Sequence, residues 1–297
     1  MNLNFTPRFT ADASKKLLLP PTLQQPSNLQ GLLKSGKVAV GIALSVPSTH
    51  VAKIVAVTGA DWCWIDMEHV AWSPALLVEC IQIIIHESAG KMIPIVRVPA
   101  KTSFDHMAWC LDAGAGGLII PHIETVEEMK AVIAACRFPP IGHRSFSPFA
   151  FVPGVTDITP AGETVFSIAN KHVALIPQIE SNVGIANLDA ILSMGEVSSF
   201  MLGLGDLRLE MNLPLAFSGN EPEFVEALQQ ATKISKKYDK PFFSGAFTKE
   251  MIKERLDQGG RLLLCGFDLH FLAFGIMSTL GDVRATVEEH MQGLESN

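Results

Sequence analysis

A chain of 297 residues with 48% apolar and only 18% charged side chains can bury one large core, and no shift in composition divides it. Its formal net charge of -7 argues against nucleic acid as a partner, because phosphate binding needs a concentrated basic surface that the sequence lacks. The apolar run Ile81-Gln82-Ile83-Ile84-Ile85 is far too short to span a bilayer, so no membrane partner is expected either.

Residues 1–27, rich in Pro, Thr, Asn and Gln, read as an irregular arm leading to a helix start near Ser27-Asn28. Within the arm, Leu17-Leu18-Leu19 after Lys15-Lys16 is too brief for the apolar core of a signal peptide. Strand-like runs follow at 37–44, 61–66, 93–98, 117–121, 173–180, 198–203, 241–246 and 261–266. Helical patterns lie between most of them, such as Ser73-Pro74 opening a helix to about His86, and a second from Glu124 to Arg137. Serine before proline supplies a cap and a preset first helical residue. Eight β-then-α units predict an α/β protein, a (β/α)8 TIM barrel over 28–275. An open doubly wound sheet loses support because no Gly-x-Gly-x-x-Gly follows the first strand. The five cysteines, Cys63, Cys80, Cys110, Cys136 and Cys265, are odd in number and show no Cys-x-x-Cys spacing. They read as reduced thiols of a cytoplasmic protein.

In such a barrel the chemistry collects at the C-terminal ends of the strands. Strand two ends in Asp66, Glu68 and His69, strand three in Arg97, and strand four in His122. Strand five delivers Gln178 and Glu180, and strand six leads to Asp206. A carboxylate at the mouth of a buried strand is costly unless paired, hydrogen-bonded or metal-bound. Glu180 and Asp206 both precede helical stretches, so each alone serves equally well as a first-turn acid. As a pair beside Gln178 they read as half of a site for a hard divalent cation. Two carboxylates, with the other positions left to water and substrate, suit Mg²⁺ or Mn²⁺ better than Zn²⁺.

Arg97, in Pro94-Ile-Val-Arg97-Val-Pro99, needs anions: either Asp or Glu side chains, or a substrate carboxylate or enolate. His69, after Asp66 and Glu68, fits a proton-transfer group oriented by a carboxylate, and His122 is a weaker instance of the same kind. The remaining histidines, His50, His86, His106, His143, His172, His270 and His290, share no spacing and read as surface or core residues. The proline-stiffened loop 139–153 has the length of a lid or binding loop, with Phe146, Phe149 and Phe151 either walling a pocket or packing on a neighbouring subunit. Asp112, at a helix end where an acid opposes the dipole, is expected to bond to something. Trp62 and Trp64 share one face of strand two and read as core and rim packing.

Ile65-Asp66-Met-Glu68-His69, Pro94-Ile-Val-Arg97-Val-Pro99, Leu111-Asp112-Ala-Gly-Ala, Arg137-Phe-Pro-Pro-Ile-Gly-His-Arg144, Gln178-Ile-Glu180-Ser and Gly205-Asp206-Leu resemble, in order and spacing from about 28 to 280, the HpcH/HpaI aldolase family. The resemblance implies a barrel of the phosphoenolpyruvate/pyruvate type and a metal-dependent aldolase that works through a pyruvate enolate without a Schiff base. It implies Mg²⁺, Mn²⁺ or Co²⁺ on Glu180 and Asp206, with Arg97 on the keto oxygen and His69 in proton transfer. Asp66 and His122 complete the expected catalytic set. Gln178, the N–H groups around Gly205 and Asp206, and Phe149 are the expected substrate contacts. Homohexamers that exchange the last helix, here 276–297, are a further implication.

Within the family, Ile120-Pro121-His122-Ile-Glu124-Thr-Val-Glu127-Glu128, Pro140-Ile-Gly-His-Arg144-Ser-Phe-Ser-Pro148 and Ile176-Pro-Gln-Ile-Glu180-Ser are most similar to a member that decarboxylates oxaloacetate to an enolate and adds it to a 2-pyrone. That member's pyrone-holding tyrosine would fall near Thr164, whereas the one tyrosine here is Tyr238. The usual Gly-Pro before the metal-binding Asp is also altered, to Gly203-Leu204-Gly205-Asp206. The expected activity is aldol cleavage or addition of 4-hydroxy-2-oxo acids with an aldehyde or other electrophile, accompanied by oxaloacetate decarboxylation. The alternatives are a pyrone-type carbon–carbon bond-forming step and an inactive barrel acting as a scaffold. The full set of candidate ligands speaks against the scaffold.

Overall fold

The computed structural model describes residues 28–148, 150 and 159–295, so the expected arm 1–27 and the candidates Phe149 and Phe151 lie outside the described residues. Eight parallel strands close in chain order: β1 (Ala39–Leu44), β2 (Trp62–Asp66), β3 (Ile93–Arg97), β4 (Gly117–Ile120), β5 (Ala174–Ile179), β6 (Phe200–Leu202), β7 (Phe242–Gly245) and β8 (Leu262–Phe267). β8 pairs back onto β1, which leaves no open edge. Each strand falls on one of the eight runs expected from the sequence. β2 through β6 are buried along their whole length, as strands between a filled interior and a ring of helices must be.

Side chains alternate between these two surroundings. Trp62 and Trp64 of β2, Ile93 and Ile95 of β3, Ala174 and Ile176 of β5, and Leu262 and Leu264 of β8 form the inner cluster. Cys63, Ile65, Val96, Leu118, Leu175 and Ile179 pack outward with the helices. Trp62 fits because β1 offers Gly41 opposite it, where a Cβ would lie 2.2 Å from the indole. Below the strands, the helix Leu29–Lys34 begins at Asn28, whose side chain accepts from Gly31 N at 2.8 Å. Its Leu29 and Leu33 join the inner cluster and close the N-terminal end of the barrel.

The expected helix starts hold. Ser73 caps Pro74–Glu87 by accepting from Leu76 N, and Thr125 with Glu128 forms a capping box for Val126–Cys136. Asp112 accepts from Arg144 Nη2 at 2.6 Å, and that buried guanidinium lies 4.5 Å over the Phe138 ring. The acid at the helix end is thereby neutralised and holds the start of the 139–153 loop. Phe146 packs on Phe166, with ring centroids 5.8 Å apart.

The last helix runs from Asp268 to Glu295. Along it Phe271, Phe274, Ile276 and Met277 are each at least 50% exposed. Among the described residues no helix is long and apolar enough to cross a membrane.

Candidate active site

The period of two that fills the interior with Trp62 and Trp64 continues on β2 to Asp66. On β3 it runs Ile93, Ile95, Arg97, and on β5 it runs Ala174, Ile176, Gln178. The last inward layer is therefore polar, and parallel register sets Asp66 directly beside Arg97. Arg97 Nε donates to Asp66 Oδ1 at 2.8 Å and Nη2 to Oδ2 at 2.7 Å, a two-pronged pair with both side chains buried. The guanidinium lies 4.6 Å over the Trp64 ring. Its third nitrogen, Nη1, reaches Gln178 Oε1 at 3.4 Å and Glu68 Oε2 at 2.8 Å. Arg97 thus finds its anions in the protein, which fixes the plane of the guanidinium; Nη1, with one long hydrogen bond and the Glu68 contact, is its least tightly held nitrogen.

Glu68 Oε2 is buried and, despite the ion pair, sits at an angle that gives it no proper hydrogen bond. Its other neighbour is His69, 3.7 Å away and 68% exposed on the rim. Trp72 Nε1 donates to Asp66 O at 2.7 Å and holds the end of β2 in place.

Glu180 is buried one inward position beyond Gln178, whose amide donates to Glu180 Oε2. His122 adopts a left-handed backbone (φ 51°) and donates its N–H to Glu180 Oε1 at 2.9 Å, with Nδ1 3.3 Å from the same oxygen. Burial raises the Glu180 carboxyl above its ordinary pKa, and the Glu68 charge adds to the rise; Gln178 and His122 oppose it. Gly203 makes room for this carboxylate, since a Cβ there would lie 2.4 Å from Glu180 Oε2.

Ligand atoms of Glu68, His122 and Glu180 lie within 4.8 Å of one another. Asp206 stands outside that cluster, exposed in the first turn of the helix Leu204–Glu210, and lines the same cavity as Arg97. Around one guanidinium the site gathers the carboxylates of Asp66, Glu68, Glu180 and Asp206. That excess of negative charge and the Glu68 oxygen that lacks a hydrogen bond both fit a divalent cation.

The cavity, about 420 Å³, takes in His69, Asp66, Arg97, Gln178, Gly205 and Asp206 among its lining residues. Residues 41–273 match the HpcH/HpaI aldolase/citrate lyase family. This chain belongs to that family. A solved macrophomate synthase has 36% sequence identity and a TM-score of 0.83, over 90% of this chain and 92% of that one. A 2-keto-3-deoxy-L-rhamnonate aldolase of Klebsiella pneumoniae subsp. pneumoniae is 29% identical over 80% of this chain and 86% of its own length. A citrate synthase structure, at 24% identity and a TM-score of 0.75 over 88% of this chain and 99% of its own, shares the fold. The expected HpcH/HpaI fold and its aldolase or lyase class stand on these matches.

Three features escaped the sequence reading. Glu68, expected as a rim acid beside His69 but not as a candidate ligand, joins Arg97 and the Glu180 cluster. His270, expected as a surface or core residue, lines the cavity. The aromatic lining comes from Trp64, Phe217, Phe243, Phe247 and Phe267 rather than Phe146, which packs on Phe166. Phe149, the candidate substrate contact in that loop, lies outside the described residues. The signal for Phe247 and Phe267 was the same rule that found Arg97, applied to the ends of strands seven and eight.

Proposed function

We propose that this chain is a metal-dependent carbon–carbon lyase that makes or uses a pyruvate enolate. Its main reaction is aldol cleavage and addition of 4-hydroxy-2-oxo acids, with oxaloacetate decarboxylation as a shared partial reaction. The observation that carries the reading is Arg97, held flat by Asp66, with Nη1 turned to Gln178 beside the Glu68–His122–Glu180 cluster. Nη1 donates to the keto oxygen as negative charge develops on it, and low exposure strengthens that interaction.

Glu180 and Asp206 are assigned as protein ligands of Mg²⁺, with Mn²⁺ or Co²⁺ as substitutes, and Glu68 and His122 flank Glu180. The bound cation supplies Lewis-acid stabilisation of the same developing charge. The helix Leu204–Glu210 starts at Gly203, which has no side chain to cap it; the N–H groups of Gly205 and Asp206 receive the substrate carboxylate. His69, exposed beside Glu68, moves the proton to or from the reacting carbon or the acceptor oxygen. Gln178 holds Glu180 and Arg97 in one frame.

A reaction like that of macrophomate synthase is the second reading, supported by 36% identity over nine-tenths of the chain. Against it, Thr164 caps the helix Val165–His172 and borders a groove separate from the Arg97 cavity. The exposed apolar residues of Asp268–Glu295 support a homohexamer in which 276–297 pack on a neighbouring subunit. Cysteines that are all free support a cytoplasmic location.

Incubation with oxaloacetate, with and without Mg²⁺, tests the reading. Metal-dependent pyruvate release is expected, and its loss in Glu180→Ala and Asp206→Ala. No metal-dependent release overturns the enolate reading; full turnover in both variants places the ion elsewhere.

A further inference from the structure

From Arg97 outward, one wall of the cavity is aromatic. Phe217 and Phe247 lie with ring centroids 5.7 Å apart, and Phe247 and Phe267 lie 6.3 Å apart. Phe267 continues to Trp64, the ring beneath Arg97, at 5.6 Å. This wall is one surface running from the guanidinium to the mouth of the cavity.

It is also built. The Phe247 ring folds back over Gly245, the last residue of β7, where a Cβ would lie 2.6 Å from Phe247 Cζ. Phe217 and Leu215 sit on the loop between the helices Leu204–Glu210 and Pro222–Tyr238. Two buried arginines hold that loop: Arg208 Nε donates to Pro214 O at 2.9 Å and its two Nη atoms to Glu221 at 2.7 Å, while Arg255 Nη2 donates to Phe217 O.

Despite this anchoring, Phe217 is 50% and Phe247 38% exposed. Large apolar rings held partly open at the mouth of a cavity are unfavourable in water and gain by covering. Two buried polar atoms of lining residues, Trp64 Nε1 and Ser244 Oγ, have no hydrogen-bond partner among the described residues, but both belong to strands, β2 and β7, and not to the loop that carries Phe217. A polyhydroxylated acceptor would leave most of its hydroxyls facing rings, at a desolvation cost.

We infer that the electrophile taken by this site is an apolar carbonyl compound, seated against Phe217, Phe247 and Phe267. The inference rests on the enolate reading for its chemistry. In the addition, the pyruvate methyl carbon gives up one proton and bonds to the acceptor's carbonyl carbon. The carbonyl π pair moves to its oxygen, which takes up one proton, so no oxidant or reductant is required.

The test compares the binding of 2-oxo-4-phenylbutanoate and 2-oxobutanoate by calorimetry, with Mg²⁺ present, in the wild type and in Phe217→Ser, Phe247→Ser and the double variant. The wild type is expected to bind the phenyl compound at least about tenfold more tightly (~1.4 kcal/mol). The double variant should lose most of that preference, and Phe247→Leu should retain it. Product formation from pyruvate with 3-phenylpropanal or glycolaldehyde provides the kinetic counterpart, read as the change in the ratio of kcat/KM between wild type and variant. Equal affinity for the two acids, or a preference that survives in a folded double variant, overturns the inference. Oxaloacetate turnover separates the two claims. If the phenyl preference is present and wall-dependent without metal-dependent decarboxylation, the aromatic wall stands and the enolate reading fails. Metal-dependent decarboxylation without the preference keeps the enolate reading and overturns the apolar acceptor.

Discussion

Between the ends of β2 and β5 the barrel mouth is polar and interlocked, whereas from β6 to β8 it is aromatic and half exposed. On the polar side each group is held by the next: Asp66 by Arg97, Arg97 by Gln178, Gln178 by Glu180, and Glu180 by His122. On the aromatic side the rings meet edge-on or tilted, and the loop that carries Phe217 is held by Arg208 and Arg255. The two sides divide the labour. A charge that develops at one atom needs fixed dipoles aimed at it, while an apolar partner needs only shape and area.

The comparison breaks most sharply at Arg97. Arg97→Ala removes the proposed donor to the keto oxygen and leaves Asp66 and Glu68 without their cation. Turnover should fall by about 10²–10³-fold, and chemical denaturation should show a loss of about 3–5 kcal/mol. Little change in either would mean that the two sides are less different than their geometry.

Gly203→Ala strikes the polar side alone, because its Cβ would meet Glu180 Oε2 at 2.4 Å. Divalent-cation affinity, read by titration calorimetry, should drop by roughly 10–100-fold as the carboxylate is displaced. The phenyl preference of the other wall should remain.

Gly219→Ala does the converse. A Cβ there would lie 1.9 Å from Arg208 Nη1, a guanidinium held by Glu221 and unable to move freely. About 1–3 kcal/mol of stability should be lost to overpacking. The preference for apolar ligands should weaken, while metal binding persists.

The smallest effect is one of sign. With its pKa raised by burial, Glu180 binds its proton more tightly in the folded protein than in the unfolded chain. The metal-free protein therefore loses stability as pH rises from the ordinary carboxylate range through the Glu180 pKa. Glu180→Gln should raise Tm slightly above that range without metal. Added Mg²⁺ should raise the wild-type Tm and leave the variant's unchanged.

The sequence made the polar side legible because each of its groups interrupts an apolar strand at the inward phase. Asp66, Arg97, Gln178 and Glu180 could be read from a period of two before any fold was known. Glu68 was harder, since it lies beyond the end of β2, where the alternation no longer says which way a side chain turns. The aromatic side was hidden for another reason. Phe217, Phe247 and Phe267 continue apolar runs instead of interrupting them, so composition does not separate a ring at the rim from one in the core. Trp62 and Trp64 read as packing residues, and the inner cluster holds both. The wall depends on tertiary placement, through the glycine under Phe247 and the arginines that hold the loop of Phe217.

Exchange of the pyruvate methyl protons for deuterium, followed by proton NMR, measures enolate formation with no acceptor present. Exchange should require both the protein and a divalent cation, and should fall at least about a hundredfold in Arg97→Ala. Absence of exchange in the wild type, or exchange that survives the loss of Arg97, would contradict the role given to Arg97 and the cation.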